Sequence, residues 1–333
     1  MLTQLRQPVY GNYFADPFAW KFNREYYAVG TGPVIPSDHA RAEDMTSAKI
    51  IGQDFAFPIL HSKNLGDWKS IGGALRVPDA LKGGEFWAPE TAYDGQFFYL
   101  YYSANTHGSA LKHRLRVARS KNPAGPYDDI GYLMAKPEDC SFAIDSHAFR
   151  DDDGQWYLFY ARDFIDTDNG YRAGTGLVVD RLINMTKLAG EERVVMRSQC
   201  DWQLFKGNRH MPMYGGTFDW HTLEGPCVRK RDGRYYCFYS GGCYENDTYG
   251  VDYCVADNVL GPYDGSGSQN GPRVMRTSPE LIGPGHISIV IGPDDKTEYV
   301  AFHAWDSDMK ARQFHLAKLV WTSAGPRVDL NSD

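Results

Sequence analysis

An aromatic β-hairpin recurs five times along this chain of 333 residues, and that recurrence limits the fold more than any other feature. The segments are EYYAVGTG from residue 25, QFFYLYYSA from 96, QWYLFYA from 155, RYYCFYSGG from 234 and TEYVAFHAW from 297. Three of them follow an Asp-Gly pair, Asp94-Gly95, Asp153-Gly154 and Asp232-Gly233. Asp-Gly before an alternating aromatic run is a strong hairpin signal, because both residues tolerate the positive φ of a tight turn. The matching tyrosines are Tyr27, Tyr99, Tyr157, Tyr236 and Tyr299, separated by 72, 58, 79 and 63 residues. A repeat of that length holds about four strands of roughly five to six residues plus loops. Helical periodicity is weak throughout; only 38–53 offers a turn or two of helix, and it reads equally well as an inserted loop. Repeated four-stranded units predict an all-β, five-bladed β-propeller, with residues 1–333 as one catalytic domain. A plain β-sandwich has no need of five similar hairpins at such long spacing.

Composition excludes several function classes. The net charge is −7 and no long Lys/Arg run occurs, which disfavours nucleic acid and anionic membranes as partners. No apolar run approaches the roughly 20 residues of a membrane span. The opening MLTQLRQPVYGNYFADP lacks the basic-then-apolar order of a signal peptide, which predicts a cytoplasmic protein. The six cysteines form no CxxC pair, and reduced, mostly buried thiols are expected. Aromatic residues make up 14% of the chain, with 22 Tyr and 8 Trp, a supply that suits both strands and sugar-stacking surfaces.

A polar residue precedes each aromatic strand at nearly constant distance. Asp16, Glu90, Asp145, Glu224 and His286 lie 11, 9, 12, 12 and 13 residues before their tyrosines. Their contexts, FADPF, WAPET, IDSHAF, LEGPCV and GPGHIS, set a polar side chain beside small residues or Pro. The first strand of each propeller blade lines the central axis, so these positions are expected to converge at one mouth of the channel. Two carboxylates about 5 Å apart repel by on the order of 3 kcal/mol at an effective dielectric near 20. Such a cluster raises at least one pKa and suits acid–base chemistry. A metal-binding ring is the competing reading, although calcium prefers oxygen ligands and a histidine ill suits it. The RDDDG run at 150–154 mimics part of a calcium loop without the remaining spacing, and reads as a hairpin turn.

Five motifs in order, ADPFAWKFNREYYAVGT, EFWAPETAYDGQFFYLYYSA, AIDSHAFRDDDGQWYLFY, LEGPCVRKRDGRYYCFYSG and GPGHISIV with FHAWD, resemble glycoside hydrolase family 43 over nearly the whole length. The resemblance implies a five-bladed propeller that cleaves arabinose- or xylose-containing glycans with inversion. By motif, it implies Asp16 as general base, Glu224 as general acid and Asp145 as the residue that tunes and orients the acid. Trp87 resembles a sugar-stacking tryptophan, with a core role as the alternative. Arg312 resembles a last-blade arginine that contacts sugar hydroxyls or the acid, with a solvated surface role as the alternative. Glu90 and His147 are expected to support sugar binding, His147 because it sits two residues from Asp145 on one strand face. His286 matches a channel histidine that holds a hydrated calcium or similar ion in arabinan-cleaving members; no cofactor is needed for the chemistry. Related invertase-like propellers carry Glu-Cys-Pro where this chain has Glu224-Gly225-Pro226. The expected activity is an exo-acting α-L-arabinofuranosidase on arabino- or arabinoxylo-oligosaccharides. β-Xylosidase, a bifunctional enzyme and endo-arabinanase are the alternatives within the family, and a sugar-binding propeller is the alternative outside enzymes. The insertions at 31–58, 104–114 and 161–220 are expected to wall the pocket.

Overall fold

A computed structural model describes residues 7–34, 54–105, 112–133 and 141–330. The turn of helix considered at 38–53 lies outside the described residues. Within them, every regular element is a strand or a short 3₁₀ turn. No helix there is long and apolar enough to cross a membrane.

The strands fall into five blades, as the hairpin repeat predicts. The first blade is β1 (Ala15–Phe22), β2 (Glu25–Thr31), β3 (Phe55–Ser62) and β4 (Lys69–Arg76). The second is β5 (Phe86–Tyr93), β6 (Phe98–Ala104), β7 (Arg114–Ser120) and β8 (Tyr127–Tyr132). A short parallel pairing of β4 with β8 joins their outer edges. The third comprises β9 (Ala143–Arg150), β10 (Trp156–Phe164), β11 (Gly174–Asn184), β12 (Lys187–Leu188) and β13 (Arg193–Met196). A hairpin of β14 (Leu204–Met211) and β15 (Gly216–His221) follows and hangs from β11 by one parallel bridge. The fourth blade has β16 (Leu223–Arg231), β17 (Arg234–Gly241) and β18 (Gly250–Ala256). The fifth has β19 (Ile282–Ile291), β20 (Glu298–Trp305), β21 (Arg312–Thr322) and β22 (Gly325–Asp329).

The fourth blade departs from the expected four strands. Its outer edge is met only by isolated bridges from Asp264 and Met275. The chain between them carries Gly265, Gly267, Gly271 and Pro272. Glycine costs more ordering entropy than other residues and proline donates no hydrogen bond, so a continuous strand is disfavoured there.

The aromatic strands are explained by what lies on each side of them. In β6, Phe98, Leu100 and Tyr102 pack toward the first blade, while Tyr99 and Tyr101 pack toward the third. Successive side chains of a strand point to opposite faces, and both faces are covered by a neighbouring blade. Similar apolar clusters fill the third–fourth, fourth–fifth and fifth–first boundaries. The ring closes where the segment before β1 adds to β21. Val9 N–H donates to the Phe314 carbonyl at 2.8 Å, Phe14 N–H donates to that of Arg312 at 2.8 Å, and the rings of Phe14 and Phe314 stack. Among the described cysteines all are free thiols, and four of the five are buried; Cys140 lies outside the described residues.

Each innermost strand carries a β-bulge at the same height, and β19 has a second at Gly283-Pro284. Two residues face one on the partner strand at Asp16-Pro17, Ala88-Pro89, Asp145-Ser146, Gly225-Pro226 and His286-Ile287. The first residue of each pair is left-handed, with φ of 51°, 45°, 59°, 56° and 50°. All five bulge amides donate across or beside a blade boundary. Asp16 donates to His303 Nδ1 (3.0 Å), Ala88 to Thr31 Oγ1 (2.8 Å), Asp145 to Ser103 Oγ (3.1 Å), Gly225 to Asp145 Oδ2 (2.9 Å) and His286 to Ser240 Oγ (2.7 Å). A left-handed non-glycine residue costs about 1 kcal/mol or more. Repetition of that cost at Asp16, Ala88, Asp145 and His286, with a glycine at the fifth position, marks a constructed axial ring.

Candidate active site

The bulges deliver side chains to a cavity at one end of the axis. It is lined by Asp16, Asp145, His286 and Arg312 together with Trp87 and Glu224. Five of the positions singled out in the sequence for sugar chemistry, and the ion-linked His286, therefore meet at one site. Glu90 and His147 do not line it. Glu90 Oε2 lies 2.8 Å from His147 Nδ1, and His147 Nε2 accepts the Val228 N–H at 3.0 Å. Both are buried, and together they tie the second, third and fourth blades.

The bulges explain that correction. Their register aligns Asp16 with Ala88, Asp145, Gly225 and His286. Glu90 is thus two residues past its blade's axial position, in register with His147. The two-residue face-sharing argument for His147 fails because the extra residue at Asp145–Ser146 resets the alternation. Glu224 stands one residue before its blade's bulge, in register with Trp87 and Ile144, and all three line the cavity. The sequence held a signal for this alignment: Pro17, Pro89 and Pro226 each follow the axial residue.

Asp16 is buried beside two cations. Arg312 Nη1 reaches its Oδ1 at 3.3 Å and His286 Nδ1 lies at 3.4 Å. Burial opposes its charge, but the Arg312 guanidinium and His286 outweigh burial and hold the carboxyl well below the usual range. Arg312 is itself buried, donates through Nε and Nη2 to the Tyr13 hydroxyl at 3.1 and 2.8 Å, and lies over the Tyr244 ring. A solvated surface position for Arg312 is excluded. His303 accepts the Asp16 amide with Nδ1, which leaves its proton on Nε2; burial holds its pKa down to about 4.

Asp145 and Glu224 are both pushed upward, by burial first. For Asp145 the charges of Glu224 and Asp16 add to this while His286 opposes, and the result is about 7. For Glu224 the Tyr249 hydrogen bond and His286 oppose burial without overcoming it. Each carboxyl has one fixed donor. Asp145 accepts the Gly225 amide, which can only donate and so favours the ionised carboxylate. Glu224 Oε1 accepts the Tyr249 hydroxyl at 2.5 Å. His286 is raised by Asp16, Asp145 and Glu224 against the effect of burial, and supplies positive charge among them.

Ligand atoms of Asp145, Glu224 and His286 lie within 4.8 Å of one another, close enough to surround an ion. The donor set fits directly bound calcium poorly. Calcium takes six to eight oxygens, and this cluster offers two carboxylates and a ring nitrogen of raised basicity.

Several site residues escaped the sequence reading: Tyr13, Tyr244, Tyr249 and His303 all lie in or against the site, but none is the polar residue that recurs before each aromatic strand. Trp87 lines the cavity and stacks its ring on His113, with centroids 3.5 Å apart.

The sequence profile of the family described as Glycosyl hydrolases family 43 matches residues 5–326. A β-D-galactofuranosidase of Aspergillus niger is 25% identical over 336 aligned residues, covering 99% of this chain and 86% of its own. A xylosidase/arabinosidase of Bacteroides ovatus is 24% identical, covering 85% of this chain and 86% of its own. The crystal structure of a thermostable family-43 glycoside hydrolase superposes with a TM-score of 0.74 at 25% identity, over 95% of this chain and 92% of that one. With the fold, the acid cluster and the profile in agreement from end to end, the chain belongs to glycoside hydrolase family 43.

Proposed function

We propose that this glycoside hydrolase acts with inversion, with Asp16 as base, Glu224 as acid and Asp145 as the group that keeps the acid protonated. The observation that carries the reading is the opposite bias of two carboxyls in one cavity: Arg312 and His286 pull Asp16 below the usual carboxylate range, and burial pushes Glu224 above it. Asp16 takes a proton from a water whose oxygen bonds to the anomeric carbon. The glycosidic C–O bond breaks, and the leaving oxygen takes the Glu224 proton. Asp145, fixed by the Gly225 amide, faces Glu224 with negative charge and disfavours early loss of that proton. Arg312 and His286 hold Asp16 ionised. Trp87 offers an apolar face for a sugar ring.

The substrate we propose is a terminal α-L-arabinofuranose on a short oligosaccharide. Relatives at about 25% identity are named galactofuranosidase, arabinofuranosidase and xylosidase, so their names define a reaction class rather than one sugar. Two of those three names specify a furanose ring, which favours arabinofuranoside over xyloside. Nitrophenyl α-L-arabinofuranoside assayed beside nitrophenyl β-D-xyloside tests the choice: activity on the xyloside alone overturns it, and comparable rates make the enzyme bifunctional. Proton NMR of the first-formed sugar tests the mechanism, since a retained anomer contradicts the role of Asp16 as base.

A further inference from the structure

The run EFWAPE opens with Glu85, a carboxylate that the proposed reaction does not use. Glu85 lines the acid-bearing cavity together with Trp87. The two are two residues apart, ahead of the Ala88 bulge, and so share a strand face. Asn105 anchors Glu85 by three hydrogen bonds. Its amide donates to the Glu85 carbonyl at 3.2 Å, its Oδ1 accepts the Glu85 amide at 2.8 Å, and its Nδ2 donates to Glu85 Oε2 at 3.1 Å. Gly84 permits this approach, since a Cβ there would lie 2.2 Å from the Asn105 carbonyl oxygen.

One oxygen of this anchored carboxylate is unspent. Among the described residues Oε1 makes no hydrogen bond, and no Lys or Arg pairs with the group; His113 Nε2 lies 3.9 Å from Oε2. The side chain is 27% exposed, so the carboxylate is not sealed off from the cavity it lines. A fourth carboxyl beside Asp16, Asp145 and Glu224 adds repulsion without an ion pair to offset it, whereas a ligand hydroxyl would satisfy it. The β14–β15 hairpin walls an adjoining cavity that shares Trp87, Ile144, Glu224 and Tyr244, and Glu85 is absent from its lining. Glu85 therefore stands on the Asp16 side of Glu224, against the sugar that reacts. It lies on the order of 10 Å along the strand from the level of Asp16.

We propose that Glu85 reads the chain end: its free carboxylate oxygen accepts the C5 hydroxyl of a terminal arabinofuranose, the hydroxyl farthest from the anomeric carbon. The assignment rests on the arabinofuranoside reading above. A carboxylate only accepts, so it needs a hydroxyl hydrogen. Once another sugar is attached through O5 that hydrogen is gone, and two acceptor oxygens face each other unsatisfied. Glu85 thus ties cleavage to an unsubstituted terminus and makes the enzyme refuse internal 1,5-linked units.

The test compares nitrophenyl α-L-arabinofuranoside with its 5-deoxy and 5-O-methyl derivatives in the wild type, Glu85→Ala and Glu85→Gln. A charge-assisted hydrogen bond to O5 should leave wild-type kcat/KM about tenfold or more lower for both derivatives than for the parent. Glu85→Ala should lose about as much on the parent, change the 5-deoxy sugar less than twofold, and so bring their ratio near one. Glu85→Gln keeps a group for Asn105 and can donate to an ether oxygen, so it should accept the 5-O-methyl sugar better relative to the parent. A wild type indifferent to O5 overturns the assignment, as does a Glu85→Ala protein that is slower on all three sugars alike, which marks a structural role. In parallel, calorimetry on Glu224→Gln protein compares methyl α-L-arabinofuranoside with its 5-deoxy form, with and without Glu85→Ala. Preference for the 5-hydroxyl sugar only when Glu85 is present supports the assignment; equal binding, or none, overturns it. This arm judges Glu85 even if the wild type cleaves no arabinofuranoside, a result that would sink the proposed function instead. Should Glu85→Ala fail to fold, Glu85→Gln carries the decision, and an unchanged ratio of 5-O-methyl to parent sugar overturns the assignment.

Discussion

Replacement of Arg312 by Met removes the cation nearest Asp16 while keeping much of the packed volume over Tyr244. The guanidinium nitrogen lies 3.3 Å from the carboxylate, which at an effective dielectric near 20 corresponds to about 5 kcal/mol of attraction. Water admitted by the shorter, uncharged side chain offsets part of this, and roughly half should survive as a penalty on the ionised form. The sign follows from the direction of the native shift. Asp16 is depressed, so the wild-type base stays ionised to low pH; the variant takes up a proton earlier as pH falls. The acidic limb of the kcat/KM profile should therefore move to higher pH, read as initial rates on a nitrophenyl glycoside across buffers of constant ionic strength. Stability changes in the matching sense. A depressed carboxyl contributes stability above its unfolded pKa that is lost on acidification. Arg312→Met should therefore melt lower near neutrality and lose less on acidification. Arg312→Lys retains a charge without the planar fork that grips Tyr13, and should leave the limb closer to wild type. An unmoved acidic limb in Arg312→Met, with only KM raised, would refute the argument and leave Arg312 as a sugar contact alone.

Other outcomes follow from the same geometry. Glu224→Gln should cost about 10²–10⁴-fold in kcat on sugar leaving groups and far less on dinitrophenyl glycosides, which need little protonation. Asp145→Asn removes the charge facing Glu224, so the basic limb of the profile should move to lower pH. Gly225→Ala puts a side chain at φ 56° with its Cβ 3.2 Å from the His286 ring, and should lower the melting midpoint by an amount corresponding to about 1–3 kcal/mol. His147→Ala leaves a Glu90 oxygen and the Val228 amide without their partner, about 1–3 kcal/mol for each, and should appear in thermal melts rather than in KM.

Blade number and the convergence of Asp16, Asp145 and Glu224 on one cavity were legible because each rests on short-range order. Alternating aromatic runs report strands covered on both faces, and Asp-Gly pairs report turns; at Asp232-Gly233 both φ values are positive, as a tight hairpin requires. The fine alignment of the inner strands was less accessible. Counting back from a tyrosine to a nearby polar residue lands on Glu90, 9 before Tyr99, whereas Ala88 lies 11 before it, the distance of Asp16 from Tyr27. That is why Glu90 was grouped with Asp16 when Ala88 holds the equivalent place. Tyr249 and Tyr13 were invisible for another reason. Each reaches the site from a neighbouring segment, at a contact set by how blades meet rather than by any pattern within one. The wall built by β14 and β15 was anticipated only as an insertion, since its position is set by contacts with β10 and β11 and by no pattern of its own.

The five-fold set of bulges separates scaffold from chemistry. Strand pairing, inter-blade packing and the amide contacts at that level proceed alike whether the residue there is an acid, a histidine, a glycine or an alanine. A chain organised this way can exchange reactive groups at the hub without redrawing the wheel. Ala88 and Gly225 are the spoke ends without a reactive group, and Ala88, which already holds a side chain at that backbone angle, is the natural place to graft one.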